Sequence, residues 1–121
     1  MPKISSFIPD SASLEVYDVD PATVLEGDPK QAITVTWRSP DNKTVAGLFS
    51  STVGKFTFQQ LGDESTLVRK GRVIVTADDG SSVECGVGDV MNITRGSVCV
   101  FEVLEDLEDY FVISNPGGVV L

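Results

Sequence analysis

From Gln31 onward, apolar and polar positions alternate along the chain. Ile33, Val35 and Trp37 interleave with Thr34 and Thr36, the period-two signature of a strand with one buried face. Ser39-Pro40-Asp41-Asn42 then predicts a tight reversal, because proline presets φ and Asx side chains bond their own backbone. The rhythm continues through Val45 to Ser51, and through Lys55 to Gln60 with Phe56 and Phe58 on one face. Ser65 to Arg69 leads to Gly71, followed by the β-branched run from Arg72 to Ala77. Asp78-Asp79-Gly80 predicts a hairpin turn, since glycine accepts positive φ without cost. Ser82 to Cys85, Val90 to Ile93, Ser97 to Val103 and Tyr110 to Ser114 read as further strands, and Asn115-Pro116-Gly117-Gly118 stops the last. No segment after residue 30 carries a helical period. Many short strands with regular turn signals predict an all-β sandwich or barrel.

The first thirty residues differ. Asp18, Asp20, Pro21, Glu26, Gly27, Asp28 and Pro29 crowd them with breakers and carboxylates. Residues 1–30 therefore read as an irregular arm with one short strand near Leu14 to Val19, and residues 31–121 as the folded domain. The length of 121 residues suits one core that needs neither disulfides nor metal to fold. The net charge of -9 repels phosphate backbones and anionic headgroups, so neither nucleic acid nor a membrane surface is the expected partner. Cys85 and Cys99 are too few and too far apart for a disulfide framework and read as reduced thiols. The start, Met1 to Phe7, lacks the apolar stretch of a secretory signal, and no run approaches a membrane span. A cytoplasmic protein is the expectation.

Two glycine-punctuated stretches carry a family resemblance. The first runs from Gly54-Lys55-Phe56 through Asp63-Glu64 to Gly71 and the Arg72-Val73-Ile74-Val75 strand. The second pairs Gly88-Asp89 with Gly96 and the Phe101-Glu102-Val103 strand, and Tyr110-Phe111-Val112 completes the pattern. In order and spacing, residues 45–114 resemble the small single-domain cupins of the ethanolamine-utilisation and ureidoglycine aminohydrolase-type subgroup. The resemblance implies a cupin jelly-roll barrel and a homodimer, often with N-terminal strands reaching the partner. An isolated arm would expose Phe7, Ile8, Leu14 and Val16. Metal-binding cupins hold their ion through histidines in these motifs, and this chain has none. By the family's spacing the ligand positions fall on Phe58, Gln60, Glu64 and Cys99.

Phe58 has no lone pair to offer and reads as a core aromatic or as a wall for a ligand. If Glu64 points into a barrel lined by Phe56, Phe58 and Phe101, burial would disfavour its charge and suit it to acid–base chemistry; otherwise it accepts turn or Arg69 hydrogen bonds. Cys99 shares a strand face with Phe101, but without a neighbouring imidazole to ionise it, an inert buried thiol is expected. Gln60 and Arg69 are placed to orient a substrate. Trp37, like Tyr17, reads first as a core or interface aromatic, and with Phe58, Cys99 and Phe101 it is also expected to contact the substrate. Glu64, Gln60 and Cys99 make a poor metal site, so no metal or cofactor is expected. The acidic run Glu102-Glu105-Asp106-Glu108-Asp109 reads as a solvated turn without calcium-loop spacing.

Two functions follow. One is a metal-independent enzyme acting on a small molecule in the barrel, by isomerase, lyase, dehydratase or cyclase chemistry with Glu64 as acid or base. The other is a non-catalytic cupin that binds a small molecule or serves assembly. An open, polar-floored pocket around Glu64 favours the first, and a barrel plugged by Phe58 favours the second.

Overall fold

The computed structural model describes residues 3–121. Met1 and Pro2, which the expected N-terminal arm includes, lie outside it. Strand β1 (Glu15–Tyr17) and β2 (Val24–Gly27) precede β3 (Gln31–Arg38), β4 (Thr44–Ser51), β5 (Gly54–Gln59) and the long β6 (Asp63–Ala77). After these come β7 (Ser82–Gly86), β8 (Val90–Ile93) and the longest strand, β9 (Val98–Ser114). All the ladders are antiparallel and belong to one sheet. That sheet is the all-β architecture the alternation predicts, in the cupin-type jelly roll the resemblance implies.

Strand β9 is its spine. One edge pairs with β6 from Ala77↔Cys99 to Asp63↔Ser114. The other edge pairs first with β5, over Val98 to Val103, and then with β4, over Leu107 to Ser114. The far edge of β6 is divided in the same way between β8 and β7. Two long strands thus serve both halves of the barrel. The N-terminal segment is built into the same sheet, with β1 on β3 and β2 on β5; β2 had no counterpart in the sequence reading.

The sequence reading of separate runs on either side of Gly71 is corrected here. β6 runs through it with a bulge, its register shifting between Val68 and Val73. A bulge adds a residue to one strand and so exchanges its faces. Before it Thr66 and Val68 are buried, and after it Val73 and Val75 are. Gly71 sits in the bulge at φ 82.

The expected solvated turn at Glu102 to Asp109 is also overturned. These residues continue β9, and Leu107, Glu108 and Asp109 are buried. The physical reason lies across the sheet, where Lys70 pairs with Glu108 and Arg72 with Glu105. Facing opposite charges support a ladder that either segment alone would not favour.

The interior holds two apolar clusters. One gathers Phe56, Val68, Val73, Val75, Cys99, Phe101 and Val103 with neighbours from β7 and β8. The other joins Val45, Phe111, Ile113 and Val119. Phe49 packs against both.

Candidate functional site: an aromatic cavity with two carboxyl groups

Between the two clusters lies a cavity of about 320 Å³. Its walls are mainly aromatic, with Phe56 and Phe58 from β5, Phe101 and Phe111 from β9, Phe49 from β4 and Tyr17 from β1. Phe56 stacks on Phe101 at 5.4 Å, and Phe58 meets the same ring edge-on at 6.1 Å, arrangements that match the ring quadrupoles. Ile33, Leu61, Ile113 and Leu121 complete the apolar lining. Leu121 is brought there by a C-terminal tail held in place by Asn42, which donates to the Val119 carbonyl at 3.0 Å, and by Arg38, which donates to the Leu121 carbonyl.

The acidic groups in the lining are Glu64 and Asp109. Glu64 lies on β6 before the bulge. Its Oε1 accepts from Gln60 Nε2 at 3.0 Å, and its Oε2 accepts from the Thr66 hydroxyl. Gln60 is itself buried, and its Oε1 has no partner. Asp109 lies on β9, is 3% exposed, and its Oδ1 also lacks a partner. Burial, and then the charges of Glu64 and Glu108, push the Asp109 carboxyl well above the usual carboxylate range. Tyr17 is pushed up to about 12 by burial, and its hydroxyl donates to Gln31 Oε1.

Of the residues singled out from sequence, Phe58, Glu64 and Phe101 line the cavity, and Gln60 anchors Glu64. Cys99 is the cross-strand partner of Phe58 but is fully buried in the core and absent from the lining. Arg69 and Trp37 stand elsewhere. Arg69 pairs with Glu108, reaches the Pro9 carbonyl, and does not touch Glu64. It points away because alternate residues of a strand face opposite sides, and Glu64 and Val68 hold the inner one. Trp37 is 46% exposed, outside the lining.

The sequence reading missed Asp109, which it left in the acidic run. A signal for it was present. Leu107, Phe111 and Ile113 alternate, and the same period two places Asp109 on their inward face and Glu108 on the opposite one.

The donor set does not fit a cupin metal. Phe58 cannot coordinate, and both oxygens of Glu64 already accept, from Gln60 and from Thr66. Burial pushes the Cys99 thiol up, and the charges of Asp78, Glu64 and Asp79 add to that, which opposes the thiolate a soft metal needs. Among the described residues no group of three His, Cys, Asp or Glu side chains is arranged to hold an ion.

Comparison with known proteins places this architecture. The chain resembles a putative ethanolamine utilization protein Q from Salmonella typhimurium, with 23% identity over 70% of this chain and 69% of that one, and a TM-score of 0.63. It resembles the EutQ protein of Clostridium difficile at 19% identity over 81% and 80% of the two chains, with a TM-score of 0.64. An acetylacetone dioxygenase from Acinetobacter johnsonii superposes on 100% of this chain and 85% of its own at 11% identity, with a TM-score of 0.70. At these identities the likeness is one of fold. No curated protein matches the sequence. The model of the EutQ-like cupin domain matches residues 38–109, the span from the end of β3 to Asp109 within β9. The barrel, the two glycine-marked motifs and that match agree: this chain belongs to the EutQ-like cupin family.

Proposed function

We infer that the protein binds a small molecule in the barrel and moves a proton on it without a metal, Glu64 taking the proton and Asp109 supplying one. Isomerase, lyase, dehydratase and cyclase chemistry all need such a pair. The observation that carries this reading is the placement of two carboxyl groups from neighbouring strands in one aromatic cavity, with the Asp109 carboxyl pushed well above the usual carboxylate range by burial and by the charges beside it. Environments that differ in this way divide acid from base. The aromatic walls support it by excluding water. Phe58 stands in the wall of the cavity and does not plug it, which leaves room for a small molecule beside Glu64.

Within the family the chain fits the metal-independent side of the ethanolamine-utilisation and ureidoglycine aminohydrolase-type cupins, because its donor set is unsuited to an ion. Cys85 and Cys99, both free and buried, accord with a reducing, cytoplasmic setting. No described helix is long and apolar enough to cross a membrane. The reading includes a homodimer, as Ile8 and Val16 remain 86% and 81% exposed on the N-terminal arm.

The experiment has two parts. The first measures urea unfolding against pH. The folded pKa of Asp109 lies above its unfolded value, so the native state holds more protons between the two. The stability this gives is fully present below the unfolded value and is lost as pH rises through the folded one. Asp109→Asn is expected to flatten that decline and to be more stable than the wild type at the alkaline end. The second screens small molecules by thermal shift and follows turnover of each binder by NMR. Glu64→Gln should bind a turned-over hit but process it roughly 100-fold to 10,000-fold more slowly. Wild-type rates in that variant would leave Glu64 a structural acceptor and the protein a binder.

A further inference from the structure

We propose that the cavity selects an organic cation, a primary amine or amidine carried on an apolar body. This rests on the reading of the cavity as a small-molecule site and names what the site would take.

Apart from the proton that a neutral Asp109 carboxyl carries, the hydrogen-bonding groups that line the cavity offer acceptors. Both oxygens of Glu64 accept. Asp109 Oδ1, in the lining, is buried and unpaired. The Tyr17 hydroxyl spends its proton on Gln31. A buried acceptor without a donor carries a desolvation cost, and a ligand bearing N–H groups removes it. An ammonium brings three such donors and an amidinium brings four.

Charge points the same way. No lysine or arginine lines the cavity, and the chain's net charge is -9. An anionic ligand would meet Glu64 with nothing to offset it, whereas a cation is drawn in. The walls add a separate attraction. Phe56, Phe58, Phe101, Phe49 and Phe111 present aromatic rings around the space, and ring faces attract cations most strongly where water is excluded. A neutral aromatic ligand would use the walls and leave the acceptors unpaired. A carboxylate or phosphate ligand would be repelled.

The cation also acts on the proton of Asp109. That carboxyl is faced by Glu64 from β6 and adjoins Glu108 on β9, while β4 brings no charged residue to it. A positive charge beside Glu64 offsets its repulsion, so Asp109 gives up its proton more readily in the complex. The cation therefore makes Asp109 a better acid towards the molecule it holds. By linkage, affinity rises with pH across the range in which Asp109 titrates.

Three probes of matched shape test this on the full-length protein by calorimetry in low salt. Phenethylamine is the cation, phenethyl alcohol the neutral isostere and phenylacetate the anion. The amine is expected to bind at least about tenfold tighter than the alcohol, through charge-assisted bonds and ring contacts. The anion should bind more weakly than either, and the amine alone should tighten as pH rises. Glu64→Gln and Asp109→Asn should each reduce the amine's advantage over the alcohol. If the alcohol matches or exceeds the amine, or the amine's advantage survives both variants, the cation assignment is wrong and the cavity reading stands. If none of the three probes binds the wild type, the cavity reading fails and this proposal fails with it. Should a variant not fold, the wild-type ranking of the three probes still decides.

Discussion

Gly71→Ala is expected to destabilise the protein by about 2–5 kcal/mol, read as a fall in the urea midpoint. Two costs add. The residue holds φ 82, a left-handed conformation that costs an L side chain roughly 1–2 kcal/mol. A Cβ at this position would lie 2.2 Å from the Asp106 carbonyl oxygen and 2.6 Å from that of Glu105. Both atoms are backbone of β9, so neither gives way cheaply, and overpacking of this kind costs about 1–3 kcal/mol. Gly80→Ala separates the two costs. Gly80 has φ 88, but nothing stands within 4 Å of its would-be Cβ, so only the backbone cost applies. Equal losses in the two variants would mean that β9 does not press on the β6 bulge. Because that bulge turns Val73 and Val75 inward, its loss should also disturb the first apolar cluster.

Arg69→Met is expected to cost roughly 3 kcal/mol in the same measurement and to leave ligand binding in the cavity unchanged. Glu108 is 3% exposed on the outer side of β9. Arg69 pairs with it, Ser11 donates to it at 2.6 Å, and Lys70 stands 4.0 Å away. Removing one partner of a buried ion pair leaves a charge uncompensated, typically at about 3–5 kcal/mol. The bond from Ser11 and the nearby Lys70 keep the figure at the low end. The double variant Arg69→Met with Glu108→Met should recover most of the loss, since replacing both charges by apolar groups is often neutral. The opposite pattern, with stability unchanged and ligand binding abolished, would return Arg69 to the site its sequence position had implied.

These two expectations concern one patch of the sheet, the patch that the sequence disguised. Gly71 looked like a turn and residues 102–109 looked solvated. Seen singly, a glycine beside charged residues and an acidic run both resemble loops. Their true state depends on each other. Lys70 and Arg72 meet Glu108 and Glu105 across a ladder whose partners lie more than thirty residues apart. Local propensity carries no information about such a pairing. The strands whose burial is simple were legible from alternation alone: β3, β4, β5, β7 and β8 fall where the pattern puts them. Phe58, Glu64 and Phe101 were legible as neighbours because the motifs fix their register. Asp109 was not, since its run was read as a surface.

By itself the sequence determined the all-β architecture and the position of most strands, and it determined that no imidazole could occupy the barrel. Those features follow from side-chain period, turn chemistry and composition, which act over a few residues. Only the tertiary structure decided that Arg69 serves Glu108, that Cys99 is sealed away, and that Asp109 joins Glu64 in the cavity. Which face a residue presents depends on bulges and on the register between distant strands. A single shift of register exchanges inside for outside, and it is set by contacts that exist only once the sheet has closed.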